Sequence, residues 1–127
     1  MHDWKLTPSF KPAEFACKCG QCGGDQHMDT EFMMLLQAMR DRVGPMVVTS
    51  GYRCANHPIE KAKKEPGTHA RGLAADIRCT DSFTRFKLIE AAMAVGMRGV
   101  GWADTFLHFD LYAGRSAAPR PAAWGYK

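Results

Sequence analysis

The stretch FLHFDL, residues 106–111, decides how the rest of the chain is read. Side chains along a strand alternate between two faces. Leu107, Phe109 and Leu111 therefore share one face, and all three are apolar. His108 and Asp110 share the opposite face. A hydrocarbon row backing onto an ionisable pair predicts a strand with the core on one side and the pair facing a cleft or solvent. LAADIRC, residues 73–79, repeats the arrangement: Ala75 and Ile77 on one face, Asp76 with Ala74 and Arg78 on the other. His69 precedes this strand between Gly67 and Gly72, two glycines that let the loop double back toward Asp76.

Outward from these strands, the chain reads as alternating elements. PSFKPAEFA (8–16) is a short helical turn anchored by Phe10 and Phe15, and CGQCGGDQ (19–26) is a glycine-rich loop. Asp29 caps a helix from about Thr30 to Val43, with Phe32, Leu35, Leu36, Met39 and Val43 at helical spacing and Gly44–Pro45 as its stop. MVVTS (46–50) reads as a strand, followed by a long polar loop over residues 51–68. Asp81 or Ser82 caps a second helix from about Phe83 to Val95, with Phe86, Ile89 and Met93 on one face and Gly96 beyond its end. GVGW (99–102) and FLHFDLY (106–112) are the last strands, joined through ADT, and SAAPRPAAWGYK is an extended tail with Trp124 as anchor. The order predicts an α+β domain with a small, mostly antiparallel sheet flanked by helices.

The chain has 127 residues, enough for one domain over 1–127 with a modest core. No run approaches the roughly 18 apolar residues of a membrane span, and MHDWKLTPSFKP lacks the apolar stretch of a secretory signal. Synthesis in a cytoplasm is the expectation. The net charge of +4 favours approach to an anionic polymer without selecting one. KAKKE (61–65) reads as a solvated loop or as an electrostatic contact with a polyanion.

Five cysteines, an odd number in a reducing compartment, argue against a disulfide framework. Cys17, Cys19, Cys22 and Cys54 could make a closed four-thiolate metal site, although C-x-C-x-x-C is not a common finger spacing. Free thiols, or one pair oxidised on purification, are the alternative, and Cys79 stands apart.

His69, Asp76 and His108, on sheet faces and an adjoining loop, suit an open zinc site. Zinc accepts histidine nitrogen and aspartate oxygen at about 2.0–2.2 Å. Three protein ligands leave a fourth position for water, whose pKa the metal lowers to about 7. Spacing alone favours a hydrogen-bonded His–Asp pair without metal.

Three motifs in order, TSGYR (49–53), THARGLAADI (68–77) and LHFDL (107–111), resemble the zinc D-alanyl-D-alanine carboxypeptidase family. The wider group includes the L-alanyl-D-glutamate endopeptidases of phage lysins and the zinc fold of hedgehog proteins. EFACKCG and the helix before VVTSGYR also resemble its small phage and bacterial members, and the likeness spans about residues 10–112. The resemblance implies a hedgehog/DD-peptidase-like fold, with His69, Asp76 and His108 as zinc ligands. It implies Arg53 at the substrate carbonyl or carboxylate, where a guanidinium suits a developing oxyanion. Ser50, Tyr52 and Thr68 would line the substrate site. Thr68 replaces the usual serine and keeps its hydroxyl. Many relatives carry an acid three residues before the second histidine; here that residue is Thr105, which leaves Asp104 and Asp110 as equal candidates for the general base.

The implied function is a zinc peptidase cutting an amide bond in peptidoglycan stem peptides, as a carboxypeptidase or a murein endopeptidase such as a phage lysin. It would act on the bacterial cell wall as a monomer, with no nucleic-acid partner. A non-catalytic zinc module binding cell wall or protein is the alternative, supported by the missing acid at Thr105. A third reading makes CKCGQC a finger-like nucleic-acid module with steeply salt-dependent binding, which leaves His69, Asp76 and His108 unexplained.

Overall fold

The computed structural model describes residues 1–126. Three helices, α1 (Thr30–Val43), α2 (Pro58–Lys61) and α3 (Ser82–Val95), accompany five strands, β1 (Val48–Ser50), β2 (Ala74–Arg78), β3 (Gly99–Trp102), β4 (Phe106–Asp110) and β5 (Ala122–Gly125). Two short 3-10 turns, Trp4–Leu6 and Pro12–Phe15, precede α1. The sheet order is β1-β2-β4-β3-β5. Three pairings are antiparallel, and β5 runs parallel to β3. The α+β class and the largely antiparallel sheet match the expectation. No helix among the described residues is long and apolar enough to cross a membrane.

The alternation in β2 and β4 sorts the two faces. Ala75, Ile77, Leu107 and Phe109 lie on one face and are fully buried in a core that also takes in Phe15, Phe32, Met33, Leu36 and Met39. Burying each large side chain contributes roughly 1.5–3 kcal/mol. The Asp29 carboxylate accepts the Phe32 amide at 2.9 Å, and the Asp81 carboxylate accepts the Thr84 amide at 2.8 Å, so both helices begin at true caps. Leu35 and Val43 pack against the core from the edge of the α1 face.

The structure corrects four expectations. The core-facing stripe of α3 is Leu88, Ala91 and Ala92, while Phe86 and Met93 are each 66% exposed. The helix SFTRFKLIEAAMAV carries apolar residues around most of its circumference, so two stripes share helical spacing. The stripe rich in alanine allows close packing against α1. Second, the polar face of β4 is not open: His108 is 3% exposed and Asp110 is 0% exposed. Third, the extended tail is paired with β3 as strand β5, and its Arg120 and Trp124 side chains reach Asp110 and His108. Fourth, the loop over 51–68 contains the helical turn α2. His57 caps it, and the Glu60 carboxylate takes the Gly67 amide at 2.9 Å.

Candidate metal centre and active site

Register places the polar residues. Across β2 and β4, Asp76 stands directly opposite His108, and Ala74 opposite Asp110. Across β1 and β2, Ser50 is paired with Asp76 beside an irregularity in the register. His69 arrives from the loop before β2, which folds back as a chain of turns: Arg71 and Leu73 donate to the Thr68 carbonyl, and Gly72 to that of His69. Gly72 has a φ of +71°, and a Cβ there would run into the His27 carbonyl. Only a glycine fits that bend.

Three donor atoms converge. His69 Nε2 and His108 Nδ1 each lie 3.2 Å from Asp76 Oδ1. The outer nitrogen of each ring is held separately. His69 Nδ1 is 2.7 Å from the Gly51 carbonyl oxygen, and His108 Nε2 is 2.7 Å from Asp110 Oδ2. A carbonyl and a carboxylate accept only, so each outer nitrogen carries a proton; without metal the inner nitrogens donate to the Asp76 carboxylate, and they would offer their lone pairs to a metal that displaces the proton between each ring and Asp76. Around a tetrahedral zinc with bonds near 2.0–2.2 Å, ligand atoms are separated by about 3.3–3.6 Å. The donor set, its spacing and the hydrogen-bonded rear of each imidazole fit a zinc ion with little movement.

Charges around the triad are tightly paired. Burial would raise the Asp76 carboxyl, but hydrogen bonds from His108 and His69 outweigh it and hold the group far below the usual carboxylate range. Burial likewise opposes ionisation of Asp110, yet His108 and Arg120 pull it down to about 2. Burial would lower the pKa of His108, but Asp110 and Asp76 raise it above the ordinary histidine value. Arg120 binds Asp110 through both Nε, at 3.0 Å, and Nη2, at 2.8 Å. Arg53 Nη2 stands 3.6 Å from Asp76 Oδ2, and its buried Nε has no hydrogen-bond partner among the described residues.

The remaining candidates are dispersed around this centre. Ser50 and Thr68 are half-buried beside it. Tyr52 is also half-buried, its ring set edge-on to His27, and it lines a cleft of about 440 Å³ with Ala55, Ala70 and the Glu60–Pro66 segment. Asp110 has no free carboxylate oxygen: besides His108 and Arg120 it accepts the Tyr112 amide at 3.2 Å. Asp104 is exposed in the β3–β4 turn, outside the converging group.

Sequence reasoning missed Arg120 and undervalued Trp124 and Tyr126. The Trp124 ring lies 5.5 Å from that of His108. Gly99 and Gly101 make this packing fit: a Cβ at Gly99 would strike the Asp110 carboxylate, and one at Gly101 would come within 2.8 Å of Trp124 and 2.7 Å of Tyr126. The signal was present as GVGW, two glycines on one face of a strand.

A sequence model of the peptidase M15 family matches residues 8–110. The chain belongs to the peptidase M15 family. The family comprises zinc-dependent peptidases of the D-alanyl-D-alanine carboxypeptidase and endopeptidase kind. The matched span includes the first two motifs and LHFD of the third, both proposed histidine ligands and the cysteine-rich loop. No curated protein matches the chain.

Proposed function

We propose that this M15 family member hydrolyses an amide bond in the stem peptides of bacterial peptidoglycan, as a D-alanyl-D-alanine carboxypeptidase or a murein endopeptidase of the phage-lysin type. The observation that carries the reading is the convergence of His69 Nε2, Asp76 Oδ1 and His108 Nδ1, each ring anchored from behind. These three residues would hold the zinc. When bound, zinc supplies Lewis acidity toward the scissile carbonyl and activates water near neutral pH.

The chain's own residues supply the rest. Arg53 offers its guanidinium to the substrate carbonyl or carboxylate oxygen, with an unpaired Nε beside the triad to support that use. Tyr52 lines the 440 Å³ cleft, which would receive the stem peptide, while Ser50, paired with Asp76, and Thr68, next to His69, would contact it nearer the ligands. Asp110 orients His108 and does not exchange protons, because His108, Arg120 and Tyr112 engage its oxygens. Asp104 is the remaining acidic candidate for moving a proton to the leaving amine, from the exposed turn before β4.

That same placement favours a second reading, a non-catalytic zinc module that binds cell wall. Digestion of purified sacculi by the zinc-loaded protein separates the two, with His108→Ala as control and products read by mass spectrometry. New stem-peptide fragments that vanish with the control establish the peptidase, and their masses name the bond. Sacculi of several cell-wall chemotypes left intact by zinc-loaded protein would refute it.

A further inference from the structure

The four cysteines of CKCGQC and the SGYRC segment form a group that the peptidase chemistry leaves unused. The Sγ atoms of Cys17, Cys19, Cys22 and Cys54 all lie within 4.8 Å of one another. Cys19 Sγ is 3.5 Å from both Cys22 Sγ and Cys54 Sγ. A disulfide holds its sulfurs at about 2.05 Å, so these are four separate thiols. Around a tetrahedral zinc with Zn–S bonds near 2.3 Å, the sulfurs stand about 3.8 Å apart. The observed spacing brackets that value.

The backbone is arranged for thiolates. The amides of Gln21, Asp25 and Cys54 donate to the sulfurs of Cys19, Cys22 and Cys17 at 3.3, 3.4 and 3.3 Å. Amide donors stabilise the charged form of sulfur, the form that ligates metal. Gly20, between Cys19 and Cys22, and Gly23, just after Cys22, take positive φ, which lets so short a loop turn three sulfurs inward. Cys17 and Cys54 are buried and Cys19 and Cys22 half-buried, which encloses the centre of the group.

We propose that Cys17, Cys19, Cys22 and Cys54 bind a second, structural zinc ion as a closed four-thiolate site, separate from the His69–Asp76–His108 centre. Four soft thiolates in tetrahedral array select zinc over the hard divalent cations. The site ties the loop after Phe15 to the segment after β1, residues 17 and 54 being far apart in sequence. That segment presents Gly51, whose carbonyl holds His69, and Arg53, next to Cys54. The bond from the Tyr52 amide to the Phe15 carbonyl, at 2.9 Å, runs alongside the knot. The thiolate zinc therefore fixes the frame on which the other centre is built.

The test is metal analysis of the full chain purified under reducing conditions without chelator, for wild type, Cys22→Ser and His108→Ala. The expected result is two zinc equivalents in wild type and one in each variant. Zinc that persists in His108→Ala and is lost in Cys22→Ser supports the thiolate site even where wild type holds only one equivalent, the result if the histidine centre fails. A measurement on wild type guards against misfolding of Cys22→Ser. Titration with a thiol-specific mercurial should release one zinc as four thiols react, and cobalt substitution should give intense thiolate-to-metal charge-transfer absorption. Wild type with no thiol-releasable zinc, iron in its place, or a mass two hydrogens lighter from a Cys–Cys bond would each overturn the proposal.

Discussion

Asp110 shows how one buried carboxylate can serve a metal site without touching the metal. Its Oδ2 is 2.7 Å from His108 Nε2, which fixes the ring's tautomer and aims Nδ1 at Asp76. Removal of such a supporting partner typically weakens metal binding about 10–100-fold. Asp110→Asn should therefore lower zinc affinity at the histidine centre by that factor, read by competition with a chromophoric chelator in a Cys22→Ser background. Unchanged affinity would mean that the strand alone aims the ring. Asp104 predicts the opposite split. It contacts none of the three ligands, so Asp104→Ala should leave zinc content intact while kcat on a stem-peptide substrate falls about 10²–10⁴-fold, the usual contribution of a general acid–base group. Turnover equal to wild type would remove Asp104 from the reaction.

Among the elements, β2 and β4 were legible because their ionisable residues alternate with an apolar row, but their pairing was not, since fixed faces still allow registers two residues apart. The capped helix α1 was legible for the same kind of reason. The α3 face was not, since its apolar residues surround the helix and only packing against α1 and the common core selects the alanine stripe. β5 was hidden because APRPAAWG lacks β-branched residues, and its two prolines read as extended tail. Its pairing with β3 depends on the glycine-lined surface of GVGW, a tertiary feature. In the candidate centre His69, Asp76 and His108 lie together, but Arg120 could not be read because its partner Asp110 seemed to face outward. The loop before β2 offers the sharpest test at this scale. Gly72→Ala places a methyl group against the His27 carbonyl in a left-handed backbone conformation. The variant should lose on the order of 3 kcal/mol in urea unfolding, and His69 should shift from its position beside Asp76. A loss under about 0.5 kcal/mol would show that the bend relaxes freely.

For the whole molecule, the centre makes stability depend on pH in a calculable direction. Asp110 sits at about 2 in the folded protein against an ordinary value of 3.8, and Asp76 is depressed further, mainly by its two histidine partners against the opposing effect of burial. A carboxylate depressed by folding stabilises the native state above its unfolded pKa, and this contribution disappears as pH falls through the folded value. For Asp110 the window runs from about pH 5 down to pH 2, and the shift corresponds to about 2 kcal/mol. His108 acts with the opposite sign. Its raised pKa adds stability that is complete below the ordinary histidine value and lost as pH rises through the folded one. Metal-free protein in chelator should thus be most stable between these limits, with its urea midpoint falling on the acid side and again on the alkaline side. Asp110→Asn isolates one component: its deficit relative to wild type should shrink by about 2 kcal/mol between pH 6 and pH 2. A deficit that stays constant over that range would show that the Asp110 carboxylate is no more acidic in the native state than in the unfolded chain, and that the His108–Asp110–Arg120 cluster does not set the acid limit of the fold.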